Sequence, residues 1–233
     1  MTSLKAKHAS GLLTAGAATF KPAGEVQRGM QPLTLAGEKH GLLYVPASYD
    51  ESQPVALAVL LHGAGAAAQQ GLSLLQPYAD SANILLIAPA ASATTWDIIV
   101  NKAFGPDVTK IDLALACAFE KFAINPQHVA IGGFSDGASY ALSLGLANGK
   151  IFTHIIAFSP GFAYSLVRKG KPAIFISHGV ADPVLPIAPC SRRIAPELRK
   201  EGLDITFMEF AGGHTVPEPI AARAVAWFLK DSA

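Results

Sequence analysis

The sequence predicts an α/β fold built as one domain, a mostly parallel central sheet with helices on both faces. Three observations predict it. Strand-like and helix-like segments alternate from about residue 40 onward, the order that a parallel sheet with crossover helices requires. Several strand-like segments, Val55 to Leu61 above all, are continuous apolar runs of the kind buried on both faces of a sheet. The 233 residues are 51% hydrophobic and only 15% charged, enough apolar content for one large core, with no repeat or second hydrophobic block to suggest another.

Taken in order, residues 1–30 are rich in Ala, Gly and Ser and read as a loosely held arm on a domain spanning 31–233. Met1 to Phe20 mixes Lys5, Lys7 and His8 with small residues, so no secretory signal is expected. No run of about eighteen apolar residues predicts a membrane span, and a cytoplasmic protein is the expectation. Leu42 to Val45 reads as a strand ended by Pro46, Val55 to Leu61 as the next, and Ile84 to Ile87 as a third, stopped by Pro89. Asp107 to Phe122 is the clearest helix: Ile111, Leu115, Phe119 and Phe122 share a face, Asp107 caps the start and Asn125-Pro126 ends it. Val129 to Ile131 is a strand, and Ala138 to Ala147 a helix closed by Asn148-Gly149. Ile155 to Phe158 and Ala173 to Ser177 are short apolar runs, Ile194 to Lys200 a modest helix, and Ile205 to Phe210 a late strand. Pro217 to Leu229 closes the pattern with Ile220, Ala224, Trp227 and Phe228 on one helical face.

A formal net charge of +1 gives no electrostatic case for nucleic acid or an anionic membrane surface. Two cysteines cannot form a dense disulfide framework; Cys117 reads as a small core residue and Cys190 carries no assigned role.

The chemistry concentrates in Gly133-Phe134-Ser135-Asp136-Gly137, between a predicted strand and a predicted helix. A serine hydroxyl is a weak nucleophile until a base activates it. A sharp strand-to-helix turn exposes it, with glycines where side chains would clash, and the following helix aims free N–H groups at developing negative charge. Among seven histidines, His8 and His40 lie in early polar stretches, and His128 and His154 flank strands. His62 and His178 each end a strand and are as suited to structure as to catalysis. His214, in Ala211-Gly212-Gly213-His214-Thr215 between the last strand and last helix, is the candidate base. Asp182, in the loop beyond Ile174 to Ser177, is the candidate orienter of its imidazole; Asp204 and Glu209 are weaker rivals because they lie within or beside a strand. Val59 to Gly65 runs a strand into a glycine-rich turn, so the backbone N–H of Ala64, with that of Asp136, is the expected oxyanion hole.

Two other motifs fail on inspection. Gly63-Ala64-Gly65-Ala66-Ala67-Ala68 has dinucleotide-binding spacing but lacks the acidic residue that should end the next strand. Gly145 to Lys150 lacks the spacing and the hydroxyl of a phosphate loop. No His/Cys spacing suggests a metal, so neither metal nor cofactor is expected.

Together LHGAG, GFSDG, HGVADPVLP and GGHTVP resemble the phospholipase/carboxylesterase (acyl-protein thioesterase-like) family of small α/β-hydrolases, over roughly residues 40–231. The order Ser135, Asp182, His214 agrees with that superfamily. The resemblance implies a single-domain α/β-hydrolase fold with little or no cap, the triad just named, and action on carboxylic or thioester acyl groups. One departure stands out: many relatives carry glutamine after the serine, where this chain has Asp136. Trp96, Phe162, Tyr164, Val184 and Leu185, each following a strand or the acid, are candidate pocket walls or core residues. The expected activity is hydrolysis of small-molecule esters with small to medium acyl groups, by a monomer or homodimer. Thioester or peptide cleavage by the same triad is the alternative, and a non-catalytic binding protein a third.

Overall fold

The structure, a computed structural model, describes residues 3–16, 26–165 and 167–230. Its strands are β1 (Gly29–Leu35), β2 (Glu38–Val45), β3 (Val55–Leu61), β4 (Ile84–Pro89), β5 (Ile124–Phe134), β6 (His154–Phe158), β7 (Ala173–Gly179) and β8 (Ile205–Phe210). The helices are α1 (Leu4–Ala9), α2 (Ala68–Ser73), α3 (Gln76–Ala79), α4 (Asp97–Asn101), α5 (Pro106–Lys121), α6 (Asp136–Ala147), α7 (Ser191–Lys200) and α8 (Glu218–Phe228). All eight strands join one sheet in the order β1-β2-β4-β3-β5-β6-β7-β8. β1 and β2 form an antiparallel hairpin whose second strand pairs antiparallel with β4, and the pairings from β4 to β8 are all parallel.

Helices cover both faces, as the apolar runs require. Val55, Leu57, Val59 and Leu61 of β3 face a core built with α5, α6 and α7, while Ala56, Ala58 and Leu60 face the one built with α2, α3 and α8. Because the parallel strands share a direction, the chain leaves β3, β5, β7 and β8 at one edge of the sheet, where ligand sites of open α/β sheets form.

The main elements fall where the apolar patterns put them, and the differences have physical causes. β1 leaves no signal in the sequence because its turn, Ala36-Gly37, places both residues at positive φ (49° and 88°) with alanine where asparagine or aspartate would mark a two-residue hairpin. Asn125-Pro126 belongs to β5 rather than to a break. Residues 125–128 bulge between the pairs Val55–Ile124 and Leu57–Val129, which spares proline a ladder hydrogen bond. Asp107 does not cap α5. Gly105 occupies the cap and Pro106 the first turn. The Asp107 carboxylate instead accepts from Ser92 N–H and Oγ–H and from Asp97 N–H.

Within the arm, residues 3–16 lie against the domain. Asp112 of α5 accepts from Thr14 N–H, Thr14 Oγ–H, Ala15 N–H and the His8 ring at 2.6–2.8 Å. Asn148 takes the Leu13 N–H and donates to Gly11 O and Leu144 O. Residues 1–2 and 17–25 of the arm lie outside the described residues. Among the described residues, no helix is long and apolar enough to cross a membrane.

Candidate active site

β5 ends in Phe134 and α6 begins at Asp136, so one residue makes the whole turn. That residue, Ser135, sits at φ 59° and ψ −119°, a conformation that costs a non-glycine residue about 1–3 kcal/mol. Its surroundings hold it there: Ser135 N–H donates to Phe158 O of β6, and Ser139 N–H donates to Ser135 O. The flanking glycines are needed for close approach. A Cβ on Gly137 would meet Leu61 O at 2.3 Å, and one on Gly133 would meet Gly137 C at 2.5 Å. α6 therefore packs backbone-to-backbone on the end of β3.

His214 reaches this turn from the loop after β8. Its Nε2 lies 2.9 Å from Ser135 Oγ and its Nδ1 2.6 Å from Asp182 Oδ2. An ionised carboxylate only accepts, so Nδ1 carries the proton and Nε2 faces the serine as an acceptor. The Phe134 ring packs against the imidazole with centroids 4.6 Å apart. The loops after β7 and β8 brace each other: Ala181 N–H donates to Gly212 O and Val180 N–H to Phe210 O.

Asp182 is buried. Burial pushes its carboxyl up, but hydrogen bonds from His214 and from the N–H groups of Leu185 and Val184 outweigh this and hold it below the ordinary aspartate range. Behind it stands His178, fully buried, with Nε2 2.7 Å from Leu185 O and 3.2 Å from Asp182 Oδ2. Its Nδ1 lies 2.7 Å from Ser191 Oγ. Burial depresses the His178 imidazole, and the pull of Leu185 O and Asp182 only partly offsets that.

The turn after β3 lies beside the serine: a Cβ on Gly63 would sit 3.5 Å from Ser135 Cβ. Gln70 of α2 fixes the turn by accepting the Gly63 N–H, and Gly65 N–H donates to Thr94 O. His62 is structural: one ring nitrogen lies 2.8 Å from Gly63 O and the other accepts from Ala91 N–H. Asp136 turns its carboxylate to Thr95, whose hydroxyl donates at 2.7 Å. Its backbone N–H is the first of α6, with no intrahelical acceptor.

The candidate walls divide. Trp96 is not a wall: it is fully buried, donates to His62 O and packs between the rings of His62 and Tyr140. Phe162 is half-buried against the α5–α6 core, while Tyr164 and Val184 are exposed. Leu185 is half-buried and lies 3.4 Å from where a Gly161 Cβ would stand, so the loops after β6 and β7 meet there. Glu209, a rival for the acid, pairs with Arg192 instead. Gln70, Thr95, His178 and Ser191 were not singled out as site residues from sequence. Each acts through a side-chain contact that has no sequence motif of its own, and only His178, ending an apolar strand, left a local trace.

The phospholipase/carboxylesterase family model matches residues 109–222, just under half of the chain. No curated protein sequence matches. Esterase PE8 is 25% identical over 81% of this chain and 96% of its own, with a TM-score of 0.65. The carboxylesterase of Bacillus cereus is 19% identical over 83% and 94%, at 0.61. SOBER1 of Arabidopsis thaliana is 18% identical over 74% and 97%, at 0.60; these last two share the fold. The sheet order, the strained serine turn and the matched segment agree, and the chain is an α/β-hydrolase of the carboxylesterase type.

Proposed function

We propose that the protein hydrolyses carboxylic esters through a Ser135–His214–Asp182 triad and an acyl-enzyme. The observation that carries this is the continuous chain Ser135 Oγ–His214–Asp182, with links of 2.9 and 2.6 Å, at a strained turn. His214 Nε2 takes the Ser135 proton as Oγ attacks the ester carbonyl. The N–H groups of Ala64 and Asp136 hold the oxyanion, and imidazolium on Asp182 gives the proton to the departing alcohol. Water, deprotonated by His214, then releases the acid. No metal or cofactor enters.

Leu185 and Phe162, with the Gly161 backbone, would receive a small to medium apolar acyl group; their half-buried positions support this. Residues 31–233, with β1 starting two residues earlier, form the catalytic domain, and the residues before it an appended arm. The enzyme works in the cytoplasm as a monomer or homodimer, with both cysteines free.

The test is turnover of a p-nitrophenyl acyl ladder, beside a thioester and an anilide, by this protein and by Ser135→Ala over a pH series. Turnover falling at least about 10³-fold in the variant is expected, with a wild-type rate that declines as His214 gains a proton. Equal rates would remove Ser135 as nucleophile, and faster thioester or anilide cleavage would reassign the leaving group.

A further inference from the structure

We infer that His178, held by Ser191, is a positioning residue for the reaction: a neutral second imidazole that fixes the Asp182 carboxylate on which His214 depends. The inference rests on the triad proposed above. The hydrogen-bond chemistry assigns its protonation. Leu185 O can only accept, so His178 Nε2 carries the proton, and Nδ1 is then free to accept the Ser191 hydroxyl proton 2.7 Å away. With the Nε2–H directed at Leu185 O, Nε2 itself also lies 3.2 Å from Asp182 Oδ2.

His178 thereby acts on the acid in two ways. It ties down the carbonyl of Leu185, whose N–H grips Asp182 Oδ1 together with that of Val184. It also sets a positive ring edge against Oδ2, the oxygen that receives His214. Neutrality matters. A protonated His178 would place a second cation on Asp182 and oppose the imidazolium that must form on His214. Every neighbour on the packed elements bears on this balance. Asp182 and His214 face the ring from the catalytic loops, and Ser191 faces it from α7. Glu209 lies beside it in register on β8, paired with Arg192 of α7. Full burial disfavours the charged ring, and the Glu209 carboxylate is already neutralised by its arginine.

The test compares His178→Leu, His178→Gln, Ser191→Ala and Ser191→Thr in the full chain. Leucine removes the N–H, whereas glutamine restores a neutral N–H at similar reach. We expect His178→Leu to lower kcat about tenfold to a hundredfold, the effect of one hydrogen bond on a charged group, with KM within about twofold. The acid limb of the rate profile should move to lower pH, because a loosely held carboxylate stabilises imidazolium less. Glutamine should recover most of both. Ser191→Ala should shift the limb the same way, Ser191→Thr should not, and this pair decides the matter if His178→Leu does not fold. Proton NMR of the His214 ring across pH gives the same midpoint without turnover. A moved midpoint in a protein that cleaves no ester would sink the esterase proposal and keep this one. A limb and midpoint unmoved in His178→Leu and Ser191→Ala, or a glutamine variant no better than leucine, would reduce His178 to core packing.

Discussion

Gly137 decides whether the serine turn exists, because one added methyl would stand 2.3 Å from Leu61 O and 2.5 Å from His62 O. Both obstacles are backbone, so nothing flexible can move aside. Gly137→Ala must lift α6 from β3 and carry Ser135 and the Asp136 N–H with it. We expect kcat/KM to fall at least about 100-fold, as for loss of an oxyanion donor. Thermal unfolding should drop by about 6–12 °C, from roughly 3 kcal/mol of overpacking; an unchanged melt with full activity would refute the close packing. Asp136 makes a second test at this scale. Its charge sits one residue from the proposed nucleophile and is held by Thr95. Asp136→Asn keeps the backbone donor, so neutral esters should turn over within about threefold of wild type. Monoanionic esters should gain about threefold to tenfold in kcat/KM, the scale of one partly screened repulsion. Equal effects on both esters would mean that the charge does not reach the substrate. Ser135, Asp182 and His214 were legible in the sequence because each carries local evidence: a strand before it and glycine or proline within two residues of it. Thr95 and Gln70 carry none, since their roles exist only once their partners, Asp136 forty-one residues on and the Gly63 turn seven residues back, are folded beside them.

The arm and α5 show the same division among elements. Apolar runs placed β3, β4, β6 and β8 to within about two residues, and the four-four-three spacing placed α5. Short elements such as α1, α2 and α4 carry too few periodic residues to register, and α1 is ordered by long-range hydrogen bonds. His8 of α1 bonds Asp112 and Thr109, and just beyond the helix Asp112 accepts three more hydrogen bonds, from Thr14 and Ala15. Burial alone would raise its carboxyl, but these donors hold it below the ordinary value. A cavity of about 540 Å³ opens beside this latch, lined by Thr109, Leu113 and the arm, on the flank of α5. The nearby Thr109–His8–Asp112 chain imitates a triad at 2.8 Å per link. Its carboxylate is already saturated and its imidazole pins the arm, so its work is structural. Asp112→Ala leaves those donors unpaired and should cost about 2–4 kcal/mol. Protease cleavage near residues 3–16 should accelerate while kcat/KM on a short ester stays within about twofold. A large activity loss without arm release would assign the latch to the active site instead.

For the molecule as a whole, the sheet separates two histidine systems. His214 and His178 stand at the catalytic edge, whereas His128 and His154 stack 6.0 Å apart near the start of β6, against Phe228. Trp227 packs edge-on to His154. Burial, and then the neighbouring His128, push the His154 imidazole down to about 4. In the unfolded chain it titrates near 6.5. Its folded value is the lower one, so the unfolded state binds the extra proton first. Stability is therefore full above about pH 6.5 and falls as pH drops toward 4, below which this contribution is constant. The depressed carboxylates of Asp112 and Asp182 act in a later window, losing their contribution as pH falls through and below the ordinary aspartate range. Acid should thus weaken the fold in two stages, the first set by histidine. Urea unfolding at pH 7, 5.5 and 4.5 should show a decline on the order of 2 kcal/mol for the wild type, allowing for partial solvent screening. His154→Phe should make that first stage shallower, leaving the part that buried His178 contributes, because the ring still fills the space beside Trp227 and Phe228 but carries no titrating group. It should leave the later carboxylate stage unchanged, since Asp112 and Asp182 lie on other elements. An equally steep decline in His154→Phe would place the first stage elsewhere, and His178→Leu would then show whether His178 sets it.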